Sequence, residues 1–205
     1  MPDDFSHQAG QYLCVVHPDG TAIPLSIASA PDQLPTLHLH YKSSPGDPSA
    51  LAMDQLLELW ADGHLPNLTV SAAMGDCLCP LDPSPLLVIA AGTGAAQGFA
   101  CAQARASHAE CLTQILWCAE SQEDLYQTDV LSALAGVSLV TKVDATRDHN
   151  NAGMRWLQAH ALDRYANILI AGGPPFVYAI TDLLIAWGVE PGRMMADAYS
   201  YAPRT

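Results

Sequence analysis

The fold of this chain is decided by the stretch Pro85-Leu-Leu-Val-Ile-Ala-Ala-Gly-Thr-Gly-Ala-Ala-Gln-Gly98. It begins with the continuous apolar run 86–91, which is typical of a parallel strand covered on both faces. Gly92 and Gly94 then allow a tight turn and a close backbone approach to a ligand, because neither carries a Cβ atom. We predict a helix from Ala95 onwards. Its free N–H groups would face the turn and favour a phosphate or pyrophosphate.

Strand and helix patterns alternate along the second half of the chain. We predict strands at residues 86–91, 112–118, 137–143, 167–171 and 194–198. We predict helices at residues 95–107, 123–134, 152–160 and 175–187. This alternation is typical of an α/β domain with a doubly wound, five-stranded parallel sheet. In such a sheet the ligand binds outside the carboxyl ends of the strands.

The first half follows a different pattern, because its apolar segments are short and bounded by turns. We predict strands at residues 11–17, 34–41 and 67–72, and a helix that Ser49 caps. His38 and His40 alternate with apolar residues in the second of these strands, so we expect both to face solvent. The pattern indicates a small antiparallel β-barrel with one helix. Three prolines in residues 79–85 mark a linker, which divides the chain into residues 1–80 and 81–205.

Charge and hydropathy exclude several classes of partner. Half of the 205 residues are hydrophobic, yet no apolar run is long enough to span a membrane. The eight basic residues face 21 acidic ones, and the net charge is −13. Neither nucleic acid nor an anionic membrane is therefore an expected partner. The first residues lack the basic and apolar regions of a signal peptide, so we expect a soluble, cytoplasmic protein.

The six cysteines do not follow a metal-ligand pattern. Their spacing contains no paired C-x-x-C motifs and lacks the four-cysteine signature of a plant-type iron–sulfur cluster. Cys77 and Cys79 form the only close pair. We therefore expect free thiols, most of them buried, and no metal site.

Six short segments, in a fixed order, carry a resemblance to a known family. They are Ala-Gly-Gln-Tyr-Leu at 9–13, Pro-Leu-Ser-Ile-Ala-Ser at 24–29, Gly-Asp-Pro-Ser at 46–49, Gly-Thr-Gly at 92–94, Ile-Ala-Gly-Gly-Pro-Pro at 170–175 and Asp-Ala-Tyr-Ser-Tyr at 197–201. Together they resemble the ferredoxin–NADP reductase superfamily and, within it, the bacterial NAD(P)H–flavin oxidoreductases. The resemblance implies a flavin-binding antiparallel barrel at residues 1–80, followed by an NAD(P)-binding domain at residues 81–205.

The resemblance implies an oxidoreductase that transfers hydride from NADH or NADPH to a flavin, which is FAD, FMN or riboflavin. It implies catalytic roles for Ser26, beside the flavin N5, and for Asp197. Tyr199 would be a lid that stacks on a ring. The residues that would bind the cofactors are Pro24, Leu25, Ser26, Ile27, His40, Tyr41, Gly46, Ser49, Gly92, Thr93, Gly94, Ala95, Ala96, Glu120, Gly172, Gly173, Pro174 and Tyr199.

The chain departs from the family pattern at four points. Ile23 stands where the family has an arginine for the flavin phosphate, so flavin would be weakly retained or used as a substrate. Ala171 replaces a cysteine, as in the simple flavin reductases. Gln97 replaces a proline after the glycine turn, which we expect to be a mild change. Fewer residues precede residue 9 than in the family, so we expect a barrel without its first strands. Three explanations of the missing strands stay open: the natural chain is longer, a homodimer covers the gap, or the protein is degenerate.

The nucleotide and the electron acceptor stay open. Residues 119–123 include no base for a 2′-phosphate, and Glu120 would bond a ribose hydroxyl, which favours NADH over NADPH. Electrons would leave on free reduced flavin or pass to a protein partner, such as an oxygenase component. The alternative functions are a reductase subunit and a truncated regulatory protein that binds a nucleotide without turnover. Simpler interpretations of three features also stay open. Residues 92–94 could form an ordinary strand–helix turn, the Ser26 hydroxyl could hydrogen-bond within a turn, and Asp197 could be a solvated residue at a strand end.

Overall fold

The computed structural model describes residues 5–44, 46–108, 110–145 and 151–204. In these ranges the strands are β1 (Tyr12–Val16), β2 (Ala22–Ser26), β3 (Thr69–Val70), β4 (Leu86–Ala91), β5 (Thr113–Ala119), β6 (Val137–Val143), β7 (Asn167–Ala171) and β8 (Met194–Met195). The α-helices are α1 (Pro48–Ala61), α2 (Ala95–Ala106), α3 (Thr128–Ser132), α4 (Ala152–Gln158), α5 (Pro174–Ala186) and α6 (Ala198–Tyr201). Short 3-10 turns lie at Pro31–Gln33, Gly92–Gly94, Gln122–Asp124 and Pro191–Arg193.

The second half forms the doubly wound sheet that the sequence predicts. The strand order is β6-β5-β4-β7-β8, and every pairing is parallel. The central strand β4 is completely buried from Leu86 to Ala90, as its continuous apolar sequence predicts. The chain moves outward from β4 to β5 and β6 on one side, and to β7 and β8 on the other. The order therefore reverses beside β4, which places the ligand crevice at the carboxyl ends of β4 and β7.

Apolar layers cover both faces of this sheet. On one face α2 packs Phe99 edge-on against Trp117 of β5. On the other face α5 packs Ile180 and Leu184 against the sheet. The layer around Phe99 also includes buried residues from the first half of the chain, namely Ala9, Ala28 and Cys77. The first half therefore packs on the α2 side of the sheet.

The first half contains a three-stranded antiparallel sheet in the order β2-β1-β3. Strand β1 alternates buried Leu13 and Val15 with half-buried neighbours. Helix α1 buries Met53 and Leu56 in the same cluster. The predicted order, a small antiparallel unit followed by a five-stranded parallel sheet, is confirmed, and the division of the chain at residue 80 stays a prediction.

Three elements of the first half differ from the predicted ones. Residues 34–41 do not form a strand, because Pro35 lacks an N–H and Leu39 alone makes a bridge, with Ile27. Helix α1 is capped by Asp47 rather than Ser49, since the Asp47 side chain accepts from the Ser49 N–H at 2.9 Å. The strand predicted at 67–72 is confined to β3.

Two elements of the second half are shorter than predicted. The helix expected at 123–134 is a 3-10 turn followed by α3, and Gln127 in the left-handed region separates the two. The strand expected at 194–198 ends at Met195, because its pairing with β7 covers two residues. The chain then turns into α6, so Tyr199 and Tyr201 lie on one helical turn instead of alternating along a strand.

Arg105 organises the proline-rich segment that joins the two halves. Its side chain is fully buried on α2. The guanidinium donates to the Thr113 hydroxyl at 2.9 Å and to four carbonyl oxygens, those of Pro80, Asp82, Ser84 and Leu112. One buried cation therefore satisfies carbonyl groups that no regular secondary structure pairs.

The variant Arg105→Lys is expected to destabilise the fold. Lysine has three donors and cannot reproduce the planar fork of arginine, so at least two of the acceptors lose their partner. The free energy of unfolding should fall by about 2 to 3 kcal/mol, as urea denaturation would measure. Arg204→Lys, in the exposed pair with Asp182, is the matched control and should leave that energy nearly unchanged, because solvent screens the pair. Equal effects of the two variants would contradict the role given to Arg105.

None of the helices in the described ranges combines the length and the apolar character that crossing a membrane requires. The six cysteines are free thiols, and Cys77, Cys101 and Cys111 are buried. Within the same ranges, no three His, Cys, Asp or Glu side chains converge as the ligands of a metal ion would.

Candidate functional site

A cleft of about 200 Å³ lies between the two halves of the chain, at the carboxyl ends of β4 and β7. The start of β1, the end of β2, and the turns that follow β4 and β7 form its walls. Its lining residues are Tyr12, Pro24, Leu25, Ser26, His40, Ala91, Thr93, Gly94, Gln97, Ile170, Ala171, Gly172, Gly173, Val177, Asp197, Ala198 and Tyr201. The crevice expected for the parallel sheet is therefore also the place where the antiparallel sheet meets it.

A larger groove of about 380 Å³ opens elsewhere, beyond the carboxyl ends of α4 and α5. Leu157, Trp187 and Arg193 are among its lining residues. It contains no residue of the six segments that carry the family resemblance. The chemistry-bearing residues gather in the smaller cleft, which is the candidate site.

The glycine turn after β4 packs directly on the turn after β7. A Cβ atom on Gly94 would lie 2.5 Å from the carbonyl carbon and oxygen of Ala171 and 2.6 Å from the nitrogen of Gly172. Only glycine allows this approach of two backbones. The indole Nε1 of Trp117 donates to the Gly92 carbonyl at 3.0 Å and so fixes the other end of the turn.

The opposite wall is the end of β2, which contributes Pro24, Leu25 and Ser26. Antiparallel pairing with β1 sets their positions: Tyr12 is paired with Ser26, and Leu13 with Leu25. The wall combines apolar surface with one half-buried hydroxyl, that of Ser26. Such a surface suits a flat aromatic ring with a polar edge.

His40 lines the cleft and does not face solvent, which corrects the sequence-based expectation. Its ring is half-buried and packs edge-on against Phe99 and Tyr126. Its Nδ1 lies 2.7 Å from the Tyr126 hydroxyl. Burial, with a smaller effect from His38, lowers the pKa of His40, so the ring is neutral at neutral pH. Burial also raises the pKa of Tyr126 to about 12.

Asp197 places a carboxyl group in the cleft wall, next to Gln97. The Gln97 amide donates to Oδ2 of Asp197 at 2.5 Å. Burial raises the pKa of Asp197 to about 6, against the lowering effects of the Gln97 hydrogen bond and of the Cys77 N–H. Among the described residues no donor makes a well-aligned hydrogen bond to the buried Oδ1. A half-buried acid that titrates close to neutral pH is a common feature of functional sites.

Of the two C-terminal tyrosines, Tyr201 lies at the cleft and Tyr199 does not. Tyr201 lines the cleft, as Tyr12 also does, and it is 51% exposed. Tyr199 is half-buried beside α5, and its hydroxyl lies 2.7 Å from that of Thr181. Tyr199, the expected lid, therefore lies outside the cleft lining, and its role as a lid stays a prediction.

The predicted site residues divide into two groups. Those that line the cleft are Pro24, Leu25, Ser26, His40, Thr93, Gly94, Gly172, Gly173 and Asp197. Those that lie outside its lining are Ile27, Tyr41, Gly46, Ser49, Gly92, Ala95, Ala96, Glu120, Pro174 and Tyr199.

Several residues of the second group have structural contacts that occupy them. The Ile27 N–H donates to the Gln11 carbonyl at 3.0 Å, and its side chain is fully buried. The Tyr41 hydroxyl donates to the Ala50 carbonyl at 2.8 Å and contacts Asp54 at 2.7 Å, which anchors it on α1. Gly46 and Ser49 are exposed at the start of that helix.

The sequence-based site omits eight lining residues: Tyr12, Ala91, Gln97, Ile170, Ala171, Val177, Ala198 and Tyr201. Five of these, Tyr12, Ile170, Ala171, Ala198 and Tyr201, lie inside the six segments, so taking every residue of each segment would have found them. Gln97 is different. The sequence does mark this position, because a glutamine stands where the family has a proline, but we expected that replacement to have only a mild effect.

The charge around the cleft is unusual for a site that binds phosphorylated ligands. No lysine or arginine occurs among the lining residues that the structure describes. Ile23, in the place of the family arginine, is buried and pairs with Val15 in the core of the antiparallel sheet. No base therefore takes over the phosphate contact at this position.

One base approaches the loop after β5 from elsewhere in the chain, although residues 119–123 themselves include none. Lys42 forms an ion pair with Asp124 across 82 positions of sequence. The pair lowers the pKa of Asp124. The Lys42 charge is thus already matched by an acid, while Glu120 is exposed nearby in sequence.

No protein-family model matches the sequence. Among solved structures, the chain is similar to the cytochrome P450 reductase GcoB from Amycolatopsis, with 22% identity over 94% of this chain and 61% of that one, and a TM-score of 0.76. It is similar to the flavohem-like FAD/NAD-binding domain of a nitric oxide dioxygenase from Vibrio cholerae O1 biovar El Tor, with 17% identity, coverages of 95% and 88%, and a TM-score of 0.70. A mutant ferredoxin-NADP+ reductase from Plasmodium falciparum shows 12% identity, coverages of 95% and 84%, and a TM-score of 0.71.

These likenesses establish the fold. The chain shares the fold of these three solved structures, as the resemblance of its segments implied. It spans about three fifths, 61%, of the length of the Amycolatopsis reductase. At these identities the fold alone is shared, so the activity must be argued from the cleft.

Proposed function

We propose that this protein is an NAD(P)H-dependent flavin oxidoreductase, which transfers hydride from a nicotinamide nucleotide to a flavin in the cleft. One observation carries the proposal: the segments that the resemblance assigns to the flavin and to the nucleotide line the same cleft. The Vibrio domain of the same fold is an FAD/NAD-binding domain. The nicotinamide supplies the hydride and the flavin accepts it, while the protein positions both rings.

The cleft fits the ring system of a flavin. Pro24 and Leu25 offer apolar surface on one side, and the Ser26 hydroxyl provides a hydrogen bond beside the flavin N5. We place the flavin ring against this wall.

The same residues fit a flavin phosphate poorly. Lys42 is the one lysine or arginine among residues 1–80, and it is paired with Asp124. The net charge of −13 adds a repulsive field for phosphate groups. We therefore propose that the flavin is a dissociable substrate and that riboflavin is preferred over FMN and FAD.

Asp197 has a direct electrostatic role in the proposed reaction. Loss of hydride leaves a positive charge on the nicotinamide ring, and an ionised carboxylate in the cleft wall stabilises that charge. Because the pKa of Asp197 is raised to about 6, the group is ionised at neutral pH and becomes neutral in mild acid. Turnover should therefore fall as the pH drops through about 6.

We propose NADH rather than NADPH as the donor. The Gly94 turn and the start of α2 offer backbone N–H groups to a pyrophosphate. Lys42, the base of the first half that approaches the loop after β5, is matched by Asp124, so it does not supply a free charge for a 2′-phosphate. Glu120, exposed in that loop, suits a ribose hydroxyl.

The test is steady-state reduction of riboflavin, FMN and FAD by NADH and by NADPH. We expect NADH oxidation with all three flavins. The kcat/KM for riboflavin should exceed that for FAD by about tenfold at low ionic strength, and the difference should shrink in salt because the repulsion is screened. Failure of every flavin to accept electrons, with folded protein and both nucleotides, would overturn the proposal.

A reductase subunit is the second candidate function. The Amycolatopsis neighbour is a cytochrome P450 reductase, and another neighbour, 19% identical with a TM-score of 0.71, is the ferredoxin reductase of a carbazole dioxygenase. In this candidate the electrons pass to a protein acceptor rather than to free flavin. Flavin that stays bound through gel filtration, together with a stable partner in a pull-down, would favour it. A homodimer also remains a proposal, which the mass in solution would test.

A further inference from the structure

Gln97 is one of the few polar side chains that are almost completely buried in this protein, at 3% exposure. It lies in the first turn of α2, directly after the glycine turn. Its Nε2 donates to the Gly10 carbonyl at 2.6 Å and to Oδ2 of Asp197 at 2.5 Å. Both partners are acceptors, so the amide NH₂ must face them and both of its hydrogens are used.

These two bonds join three distant parts of the chain. Gly10 lies 87 positions before Gln97 and belongs to the antiparallel half, while Asp197 lies 100 positions after it, beside α6. Gln97 therefore holds the carboxyl group against the antiparallel half. A proline at this position, as in the family pattern, would offer no such donor.

The carboxyl group needs such a partner because burial and Asp76 oppose its charge, and apart from Gln97 the Cys77 N–H is the donor that lowers its pKa. The titratable groups that face Asp197 are Tyr12, Asp76, Cys77 and Tyr201. Asp76 repels the ionised form, and the remaining three are neutral at neutral pH. Glycine at position 75 leaves space for the carboxyl group, since a Cβ there would lie 2.8 Å from Oδ1.

We propose that Gln97 is a positioning residue of the cleft: its amide clamps Oδ2 of Asp197 beside the Gly10 carbonyl and so keeps an ionised carboxylate in the wall where the nicotinamide binds. The role in turnover rests on the proposed function. The clamp itself is a property of the ligand-free chain. A merely structural tie between the two halves would leave the ionisation of Asp197 unchanged, and this difference separates the two roles.

The matched control is Gln103, on the same helix. Its Oε1 accepts from the Ala30 N–H at 3.2 Å, so it also connects α2 to the antiparallel half. It is half-buried and does not line the cleft. Gln97→Met and Gln103→Met thus each remove one glutamine bridge, and only the first of these bridges includes Asp197.

The first measurement is a carbon NMR titration of the Asp197 carboxyl in ligand-free protein, assigned by comparison with Asp197→Asn. The wild type should titrate near pH 6. Gln97→Met loses a donor to the ionised form, so its midpoint should rise by about one pH unit, a tenfold change in proton affinity. Gln103→Met should titrate as the wild type does. An unchanged midpoint in folded Gln97→Met would overturn the proposal.

A second variant covers the case in which Gln97→Met does not fold. Gln97→Glu has nearly the same shape, but it replaces the donor by a second carboxyl group next to Asp197. Two buried acids that share one site cannot both ionise easily, so the midpoint should rise by more than in Gln97→Met. A titration that matches the wild type in this variant would equally overturn the clamp.

The second measurement is the pH profile of NADH oxidation with riboflavin. In Gln97→Met the acidic limb should move to higher pH by the same amount as the NMR midpoint, and in Gln103→Met it should not move. If the NMR midpoint moves but the wild type reduces no flavin, the clamp is supported and the proposed function is the part that fails. If Gln97→Met turns over and its NMR midpoint is shifted, but the acidic limb of its pH profile stays where it is in the wild type, the proposed role of the clamp in turnover is overturned.

Discussion

The variant Gly94→Ala is expected to lose nucleotide binding and a large part of the stability of the parallel sheet. The added Cβ would lie 2.5 Å from the Ala171 carbonyl and 2.6 Å from the Gly172 nitrogen. These are backbone atoms at the end of β7, and they cannot rotate away as a side chain would. Relief requires the two turns to separate. We expect the free energy of unfolding to fall by about 3 kcal/mol.

The same separation displaces the N–H groups that the turn offers to a pyrophosphate. Loss of one or two of these hydrogen bonds to the charged pyrophosphate should weaken the affinity for NADH by about 100-fold. Calorimetric titration of ligand-free protein with NADH measures the affinity, and urea denaturation measures the stability. Because the measurement needs no flavin, it tests the nucleotide half of the cleft separately.

Gly92→Ala is the matched control for Gly94→Ala. Gly92 belongs to the same turn, but a Cβ there would meet no atom within 4 Å. Its φ of 53° lies in the left-handed region, so alanine should cost roughly 1 kcal/mol through backbone strain alone. If the two alanine variants bound NADH equally well, close packing of the two turns would not be what shapes the site.

The parallel sheet could be predicted because its signal is local. The run from Leu86 to Ala91 is apolar throughout and leads into a glycine turn, and this combination has few other interpretations. The segment at 34–41 alternates just as clearly, yet it forms a single bridge at Leu39. Alternation indicates which side chains can be buried. A strand also needs a neighbouring strand to which its backbone is hydrogen-bonded, and the alternating pattern does not predict that neighbour.

The site was predicted best where one segment supplies a whole wall, as at Pro24 to Ser26. It was predicted poorly where the function depends on contacts between distant segments. The role of Gln97 depends on its hydrogen bonds to Gly10 and Asp197, and that of Lys42 depends on its ion pair with Asp124. The position of Tyr201 followed from the short pairing of β8, which turned a predicted strand into a helical turn. These contacts join segments that are far apart in sequence, so a local pattern in a single sequence cannot predict them.

The variant Asp197→Asn is expected to make the folded protein more stable at neutral pH and to slow flavin reduction. Burial raises the pKa of Asp197 from its ordinary value of 3.8 to about 6, so the folded state binds this proton more tightly than the unfolded state does. The stabilising contribution of the protonated form is complete below about pH 4 and is lost as the pH rises through about 6. Because the group is only half-buried, the ionised form should cost about 1 to 2 kcal/mol at about pH 8.

Asparagine removes that cost and keeps an oxygen for the Gln97 amide. Urea denaturation should therefore show Asp197→Asn equal to the wild type near pH 4, where the acid is neutral, and more stable by about 1 to 2 kcal/mol at about pH 8. Flavin reduction at about pH 8 should fall by about 100-fold, because the charge that stabilises the oxidised nicotinamide is gone. Stability and turnover thus move in opposite directions.

Asp182→Asn makes the same chemical change in an exposed acid, which pairs with Arg204 at 2.6 Å. Its free energy of unfolding should stay close to that of the wild type at every pH, because solvent screens this pair, and turnover should be unaffected. If Asp197 were a solvated strand end, its asparagine variant would behave like this control. A gain in stability together with a loss of turnover has one physical explanation, which is that the fold keeps a costly charge in the cleft because the reaction there requires it.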